Sequence, residues 1–384
     1  MLFSKGNIEF RQDQEEKICR LKNVIAADPI NWNEFLELDR ELWVLSHEAA
    51  FDCSFSWILA HYPPPHVIKS LLEKYEKFIF TNDEEIKSIL NIALLESIPE
   101  VVQFIASRYS YIMNQPLIIS GDVPLHRAQN GEIASIILQA CPISVGTQNR
   151  ALELPLHAAL LHQQHPDHIR LLVDQGVAMK VGGEEGCGGV LVQNSHGKTP
   201  FDMLKNQFET GIDLATLSNP IYETDRRMFN NLVTMVLAIR HVDRARASEV
   251  NVLREFIRLE CPPSAIRMAQ LMAPGQVSKP DEVGRYPLHL AAANKSCCRR
   301  VLDGLIWGFP RAIQLCDHSG KYPLHWGAMG GRSFSAGMET IYLGGPEVTC
   351  IPDNNGFYPF MYAASGNCEP NTIYRLLRES PGST

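Results

Sequence analysis

Apolar residues recur along this chain in helical patterns that follow proline. Pro65–Leu72 has the form Pro-x-x-Ile-x-x-Leu-Leu, which places its apolar residues at steps of three and four on one helix face. Proline is favoured at the first helical position because its missing N–H has no partner there in any case. Related forms begin at Pro99, Pro166, Pro263 and Pro370. The pattern predicts a helix with one buried face at each of these prolines.

A second proline pattern has a fixed spacing. It reads Gly-Arg-Tyr-Pro-Leu-His at 284–289 and Gly-Lys-Tyr-Pro-Leu-His at 320–325, and it returns in altered form at 356–361. Its prolines, Pro287, Pro323 and Pro359, are separated by 36 residues each time. A fixed period of this size indicates a repeat array, in which each unit buries its apolar face against a neighbour. Each unit is expected to contain a turn, a short helix, a loop and a second helix.

The same signature occurs earlier, at 123–126, 154–157 and 199–202. Together these signatures resemble those of ankyrin-repeat proteins, whose units of about 33 residues carry a Thr-Pro-Leu-His core. Over roughly residues 51–384, the resemblance implies an all-α solenoid of stacked helix-turn-helix units with β-turn loops. It also implies that the signature histidines hydrogen-bond the backbone of the turn. The family's threonine is present only as Thr199, while Asp202 and Met361 replace the histidine, so less regular units are expected around Thr199 and Phe357.

Four segments follow from these patterns. We expect an N-terminal helical cap at 1–50, a first block of repeats at 51–205, a helical insertion or irregular repeat at 206–248, and a second block with a C-terminal cap at 249–384. Within the third segment, apolar periodicity predicts a helix at 225–240. The glycine-rich stretch Val181–Val190 predicts a flexible loop extension in which Cys187 is an accessible thiol.

Composition narrows the class of protein. Apolar residues make up 45% and charged residues 20% of the chain, which is typical of folded proteins. A formal net charge of −8 disfavours nucleic acid as a partner. Neither a signal peptide nor a membrane span stands out, so we expect an intracellular, cytoplasmic or nuclear, monomeric protein with reduced cysteines and no membrane partner.

Motifs for catalysis and metal binding are incomplete. His196-Gly-Lys198-Thr199 ends like a phosphate-binding loop, but Val192 stands where that loop needs glycine. Four histidines lie close together without a cysteine pair, so we expect them to be solvated or hydrogen-bonded rather than to bind zinc: His157, His162, His165 and His168. We therefore predict no catalytic residue, no metal site and no cofactor.

The ankyrin resemblance implies a concave groove, formed by the turn tips and the first helices, that binds other proteins. The residues at these positions are Arg127, His196, Lys198, Glu282, Arg285, His318, Lys321, Trp326, Asn355, Phe357 and Tyr362. Aromatic and arginine side chains are enriched among interface hot spots. The expected function is a non-catalytic scaffold that binds a protein partner of unknown identity. Two alternatives stay open: an adaptor that recruits a second protein through its N-terminal helices, and an enzyme or nucleotide-binding protein with its site in 206–248.

Overall fold

The structure is a computed structural model. It describes residues 19–20, 23–24, 27, 30–42, 59, 61, 63–80, 82–117, 119–183, 185–211, 223–242, 246, 249–366 and 368–379. Most of the segment expected to form the N-terminal cap lies outside these residues. All regular elements of the described ranges are helical, without a strand. By its internal contacts the chain divides into a first unit, 1–197, and a second unit, 198–384.

The helices of the first unit stack in two rows. The helices are α1 (Trp32–Leu42), α2 (Pro65–Ile79), α3 (Asp83–Leu95), α4 (Pro99–Arg108), α5 (Gly131–Ala140), α6 (Pro155–Leu161) and α7 (Pro166–Ala178). Helix α3, a single 3₁₀ turn at Pro124–Arg127 and α6 form the first row. Helices α2, α4, α5 and α7 form the second row, each packed on the next. Each first-row element is followed in the chain by a second-row helix, as in a helix-turn-helix unit.

The second unit repeats this arrangement. Its helices are α8 (Pro200–Gly211), α9 (Glu223–Ile239), α10 (Val252–Arg258), α11 (Pro263–Met272), α12 (Pro287–Ala293), α13 (Arg299–Gly308), α14 (Pro323–Met329), α15 (Glu339–Gly344), α16 (Pro359–Ser365) and α17 (Pro370–Arg378). Helices α10, α12, α14 and α16 form a first row, and α11, α13 and α15 a second. Helix α9 packs against α8, α10 and α11, so it is part of the core of this unit.

The prolines begin helices as the sequence predicts. Helices α2, α4, α7, α11 and α17 all start at the proline of the first pattern. The apolar residues that follow are buried; Val67, Ile68 and Leu71, for example, are at most 2% exposed. Burial of each such side chain contributes roughly 1.5–3 kcal/mol, before the cost of ordering the chain is counted.

The loops between successive repeats are β-turns, and each loop forms backbone hydrogen bonds with the next. In the loop at 317–321, the Asp317 N–H donates to the Lys321 carbonyl at 2.9 Å, and Gly320 takes a positive φ of 74°. The His318 N–H donates to the carbonyl of Val283 in the preceding loop at 3.0 Å. The next loop continues the series, because the Asn354 N–H donates to the Ser319 carbonyl at 3.1 Å. Stacked helix pairs with bonded β-turn loops are the ankyrin-repeat architecture, and the predicted fold is confirmed.

Three of the signature histidines cap the helices in whose first turn they lie. Nδ1 of His157, His289 and His325 accepts the backbone N–H three residues earlier, at 3.0–3.2 Å. That bond assigns the hydrogen to Nε2, which in His325 lies 3.2 Å from the Phe357 carbonyl of the next loop. Burial lowers the pKa of His289 and His325 to about 4. The structural role implied by the resemblance is therefore confirmed.

Helix α8 is capped without a histidine. The Thr199 N–H donates to Asp202 Oδ2 at 3.2 Å, and the Asp202 N–H donates to the Thr199 hydroxyl oxygen at 3.0 Å. This reciprocal pair is a capping box. Helix α16, which has Met361 at the histidine position, runs for seven residues like α12 and α14. The less regular repeat expected around Phe357 is therefore not observed in its first helix, whereas the one expected around Thr199 is observed, because α8 has 12 residues instead of seven.

The glycine-rich segment is packed, which corrects two expectations. Gly188 has a φ of +73°, and a Cβ atom on Gly176 would lie 2.2 Å from the Gly188 carbonyl oxygen. The segment therefore lies against α7 at a distance that only glycine allows. Cys187 is 6% exposed and Val190 is fully buried. At residues 186–190, which are buried, the predicted flexible loop is wrong, and so is the predicted accessible thiol at Cys187.

Cysteine alkylation should follow this burial. In the native protein, N-ethylmaleimide should modify the exposed Cys316 and Cys350 at least tenfold faster than Cys187, Cys261 or Cys297. Burial raises the pKa of the Cys187 thiol, and it raises the pKa values of Cys261 and Cys297 to about 12, so little reactive thiolate forms. Time-resolved peptide mass mapping measures each rate. In urea the rates should converge, and early native modification of Cys187 would contradict its placement.

One arginine is buried without a carboxylate. Arg332 follows α14 and is 1% exposed. Its guanidinium donates to the carbonyls of Ala291, Ala292 and Asn294 at the C-terminal end of α12, and to those of Cys297 and Ala336. The last carbonyls of a helix have no intrahelical donor, and positive charge is favoured beside them. Arg332 therefore ties one repeat to the helix end of the preceding repeat.

Candidate functional site

Neither a group of metal-binding side chains nor a membrane-spanning helix is found in the described ranges. No group of three or more histidine, cysteine and acidic side chains there is arranged to hold a metal ion. Among the same residues, no helix is both long and apolar enough to cross a membrane.

His168 differs from the expectation that the clustered histidines are solvated or hydrogen-bonded. It is 1% exposed, and neither of its ring nitrogens has a hydrogen-bond partner among the described residues. Burial lowers its pKa to about 4, so the ring is neutral at pH 7. For His168 that expectation is wrong, and the side chain is a polar group in the core beside α5.

Three aspartates at a spacing of 36 residues organise the loops of the second unit. Asp281, Asp317 and Asp353 each accept, at Oδ1, the backbone N–H four residues later, at 2.8–3.0 Å. This bond closes the turn and turns the second oxygen, Oδ2, toward the first row of helices. Each Oδ2 then binds a basic or aromatic side chain of that row or of the loops.

The Asp317 loop holds a tryptophan and, through it, an arginine. Trp326 Nε1 on α14 donates to Asp317 Oδ2 at 2.9 Å. The Arg285 guanidinium lies over the Trp326 ring, 5.4 Å from its centroid, and forms an ion pair with Asp281 at 2.9 Å. A cation above an indole face is attracted by the negative face of the ring. These contacts join the loop of one repeat to the helix of the next.

The Asp353 loop repeats the arrangement with tyrosine and lysine. The Tyr362 hydroxyl donates to Asp353 Oδ2 at 2.6 Å, and Lys321 Nζ lies 3.2 Å from the same oxygen. Lys321 Nζ is also 5.7 Å from the centroid of the Tyr362 ring. Burial alone would raise the pKa of the Asp353 carboxyl, but the bonds from Tyr362, Lys321 and the loop backbone hold it well below its usual range.

The contacts of the loop aspartates continue toward α10. Arg258 Nη2 lies 3.0 Å from Asp281 Oδ2, and Arg258 Nη1 lies 3.2 Å from Glu255 Oε1. Glu255 is 3% exposed and also pairs at 3.2 Å with Arg240, the residue directly after α9. These contacts form two groups of side chains on the first-row side of the second unit, and the Lys321 backbone N–H joins them by its bond to Asp317 Oδ1. We call the whole set the ladder: Arg240, Glu255, Arg258, Asp281, Arg285, Asp317, Trp326, Lys321, Asp353 and Tyr362.

The structure divides the predicted groove residues into two groups. Four belong to the ladder and are partly buried in internal contacts: Arg285, Lys321, Trp326 and Tyr362. Four lie exposed at the loop tips of the same unit and are called here the tip residues: Glu282, His318, Asn355 and Phe357. Lys198 is exposed at the start of the second unit and is not a member of the ladder, while Arg127 and His196 belong to the first unit.

The sequence prediction missed the acidic members of the ladder. Asp317 and Asp353 are recognisable there only as turn residues, although Asp281, Asp317 and Asp353 share the spacing of the prolines. That shared spacing is the signal that could have identified them. Glu255 and Arg240 lie outside any repeated motif, and only the folded structure brings them together.

Two solved structures are similar to this chain at low levels. The crystal structure of the ankyrin repeat domain of Bcl-3, described as a unique member of the IkappaB protein family, is 16% identical, covers 75% of this chain and 97% of its own, and has a TM-score of 0.28. A chain in the structure of the Bd0816 predatory endopeptidase from Bdellovibrio bacteriovorus with immunity protein Bd3460 is 13% identical, covers 66% and 96%, and has a TM-score of 0.26. No family model and no curated protein matches the sequence. The fold assignment therefore rests on the repeat geometry of the chain itself.

Proposed function

We propose that this chain is a non-catalytic scaffold that binds a protein partner over the tip residues and the ladder of its second unit. The observation that carries the proposal is the order of the ladder. Its aromatic and basic side chains are held by buried carboxylates, as in the Trp326–Asp317 bond of 2.9 Å. A surface whose side chains are already fixed loses little entropy when a partner binds.

The tip residues supply the contact surface in this proposal. Phe357 is 48% exposed, yet its ring packs 5.6 Å from that of Tyr362, so it is held in place while one face is open to solvent. A fixed and exposed aromatic side chain is typical of a binding hot spot. The cations of the ladder are paired with acids, so this face lacks the surplus positive charge that nucleic acid binding requires.

Site-specific crosslinking tests the proposal. The photoreactive residue p-benzoyl-phenylalanine, placed at His318 or at Phe357, should form a discrete heavier adduct with a protein from the source cell's lysate. Matched controls replace the exposed Trp307 on α13, a second-row helix, and the exposed Tyr374 on α17, the last helix. Circular dichroism of each variant checks that folding is unchanged.

The four positions separate the outcomes. Adducts at 318 and 357, but not at 307 and 374, support binding through the tip residues. Adducts confined to 307 and 374 would move the interface to α13 and α17 and contradict the proposal. If no position gives a protein adduct, the binding function itself is contradicted, and the enzyme alternative regains weight.

A further inference from the structure

The first row of the first unit lacks one helical turn. The element between α3 and α6 is a 3₁₀ turn of four residues, whereas α6 has seven. From the signature histidine to the cap of the following helix, the chain runs from His126 to Asn130, a step of four. In the next repeat, the corresponding stretch of chain runs from His157 to His165, a step of eight. The difference of four residues corresponds to about one turn of α-helix.

A cleft of about 810 Å³ lies beside this shortened element, and we call it the notch. Leu95, at the end of α3, and Leu161, at the end of α6, flank it and are 47% and 62% exposed. Ala158 of α6 also lines the notch. Gln129 lines it as well and donates to the Leu95 carbonyl at 2.8 Å, which closes the end of α3. The space has the size of sites that bury several side chains or a small ligand.

The acidic side chains of the notch are occupied by internal bonds. Asp122 accepts the Asn149 amide at 2.9 Å. Glu153 lies within 3.4 Å of the Asn149 amide and 3.5 Å of the Asn194 amide. These contacts leave the carboxylates as part of the loop structure.

The two arginines of the notch, Arg127 and Arg150, form fewer hydrogen bonds and ion pairs than its acidic side chains. The exposed side chain of Arg150 has no hydrogen bond or ion pair with any described residue. Arg127 reaches Asp122 only at 4.0 Å, and its buried Nε has no hydrogen-bond partner within the described ranges. A buried guanidinium N–H without an acceptor is unfavourable, so a carboxylate that reached it would be bound strongly. The charge pattern therefore favours an anionic occupant.

We propose that the notch binds a peptide segment of a protein partner in which a carboxylate lies next to a large apolar side chain. The carboxylate pairs with Arg127 and Arg150, and the apolar side chain fills the space between Leu95 and Leu161 that the missing turn leaves. The proposal rests on the proposed protein-binding function, but it places a subsite in the first unit, whereas the ladder belongs to the second unit. The two proposals can therefore fail separately.

Peptide selection on the full chain tests the notch. A random nine-residue library displayed on phage is selected against the purified protein, and enriched peptides are synthesised with a fluorescent label. Anisotropy then gives their affinities for the wild type and three variants. Arg150→Glu reverses the unpaired charge, Ala158→Phe fills the cleft, and Lys69→Glu makes the same charge change on α2, at an exposed position outside the notch.

The expected consensus contains Asp or Glu beside Leu, Ile or Phe. Arg150→Glu and Ala158→Phe should each weaken binding at least tenfold, and Lys69→Glu less than twofold. Arg150→Glu changes an exposed side chain, so it tests the proposal even if the filled variant folds poorly. A basic or uncharged consensus, equal binding to Arg150→Glu, or no enriched peptide would overturn the subsite. The crosslinking test at His318 and Phe357 would be unaffected by any of these results.

Discussion

Replacing Arg332 with methionine is expected to lower the free energy of unfolding of the second unit by about 4 kcal/mol. Methionine fills part of the same space but donates no hydrogen bond. The carbonyls of Ala291, Ala292 and Asn294 would then lose their donor in a site where the native side chain is 1% exposed. Each orphaned buried acceptor costs about 1–3 kcal/mol, reduced where water can enter.

Urea denaturation followed by circular dichroism measures this loss. Arg311→Met serves as the control, because Arg311 is exposed in the 3₁₀ turn at Pro310–Gln314, and its replacement should change stability by less than about 0.5 kcal/mol. Arg332→Lys keeps a positive charge but cannot reach five carbonyls, so it should fall between the wild type and Arg332→Met. A change below about 1 kcal/mol for Arg332→Met would contradict the joining role assigned to this side chain.

Acidification should destabilise the fold well before its carboxylates are protonated. Burial lowers the pKa values of His168, His289 and His325 to about 4, against about 6.5 in an unfolded chain. Below about pH 6.5 the unfolded state therefore binds more protons than the folded state, and stability falls as the pH falls. The contribution is fully present above pH 6.5 and is lost between about pH 6.5 and 4. At pH 5 the loss is about 2 kcal/mol for each histidine.

Replacing His168 isolates the contribution of one histidine to this loss of stability on acidification. In His168→Leu, the loss of stability between pH 7 and 5 should be smaller by about 2 kcal/mol, because one of the buried histidines with a lowered pKa is gone. At pH 7 the variant should be at least as stable as the wild type, since the ring it replaces has no hydrogen-bond partner in the described structure. Urea titrations at several pH values measure both quantities. An unchanged pH profile would contradict a neutral, buried His168.

The starts of the helices were predictable because their signal is local. Proline at the first helical position and apolar residues at helical spacing are visible in a few consecutive letters, and Pro65, Pro99 and Pro166 all begin helices. The step of four residues after His126 is equally visible and marks the shortened element in the first row. These features depend on residues within one repeat.

The errors concern residues whose environment is set by distant neighbours. The composition around Gly176 and Gly188 is typical of a mobile loop, but the missing side chains allow the two backbones to pack together. Arg332 follows Gly330 and Gly331, a sequence typical of an exposed turn, yet four of its five carbonyl partners lie 35 or more residues earlier, in α12 and the loop after it. The pairings of the ladder likewise join residues of successive repeats, and no short window of sequence contains both partners.

The two kinds of helix cap described above have a consequence for recognising such chains. His157, His289, His325 and Asp202 differ in chemistry, yet each presents an acceptor atom to the N–H of the residue three positions earlier. Threonine stands at that earlier position only beside the aspartate; beside these histidines it is leucine or tyrosine, whose side chains take no part in the bond. Four repeats of this chain thus share the location of one lone pair, although the letters that supply it differ. A search for that lone pair in coordinates would recover these four repeats without reference to their letters.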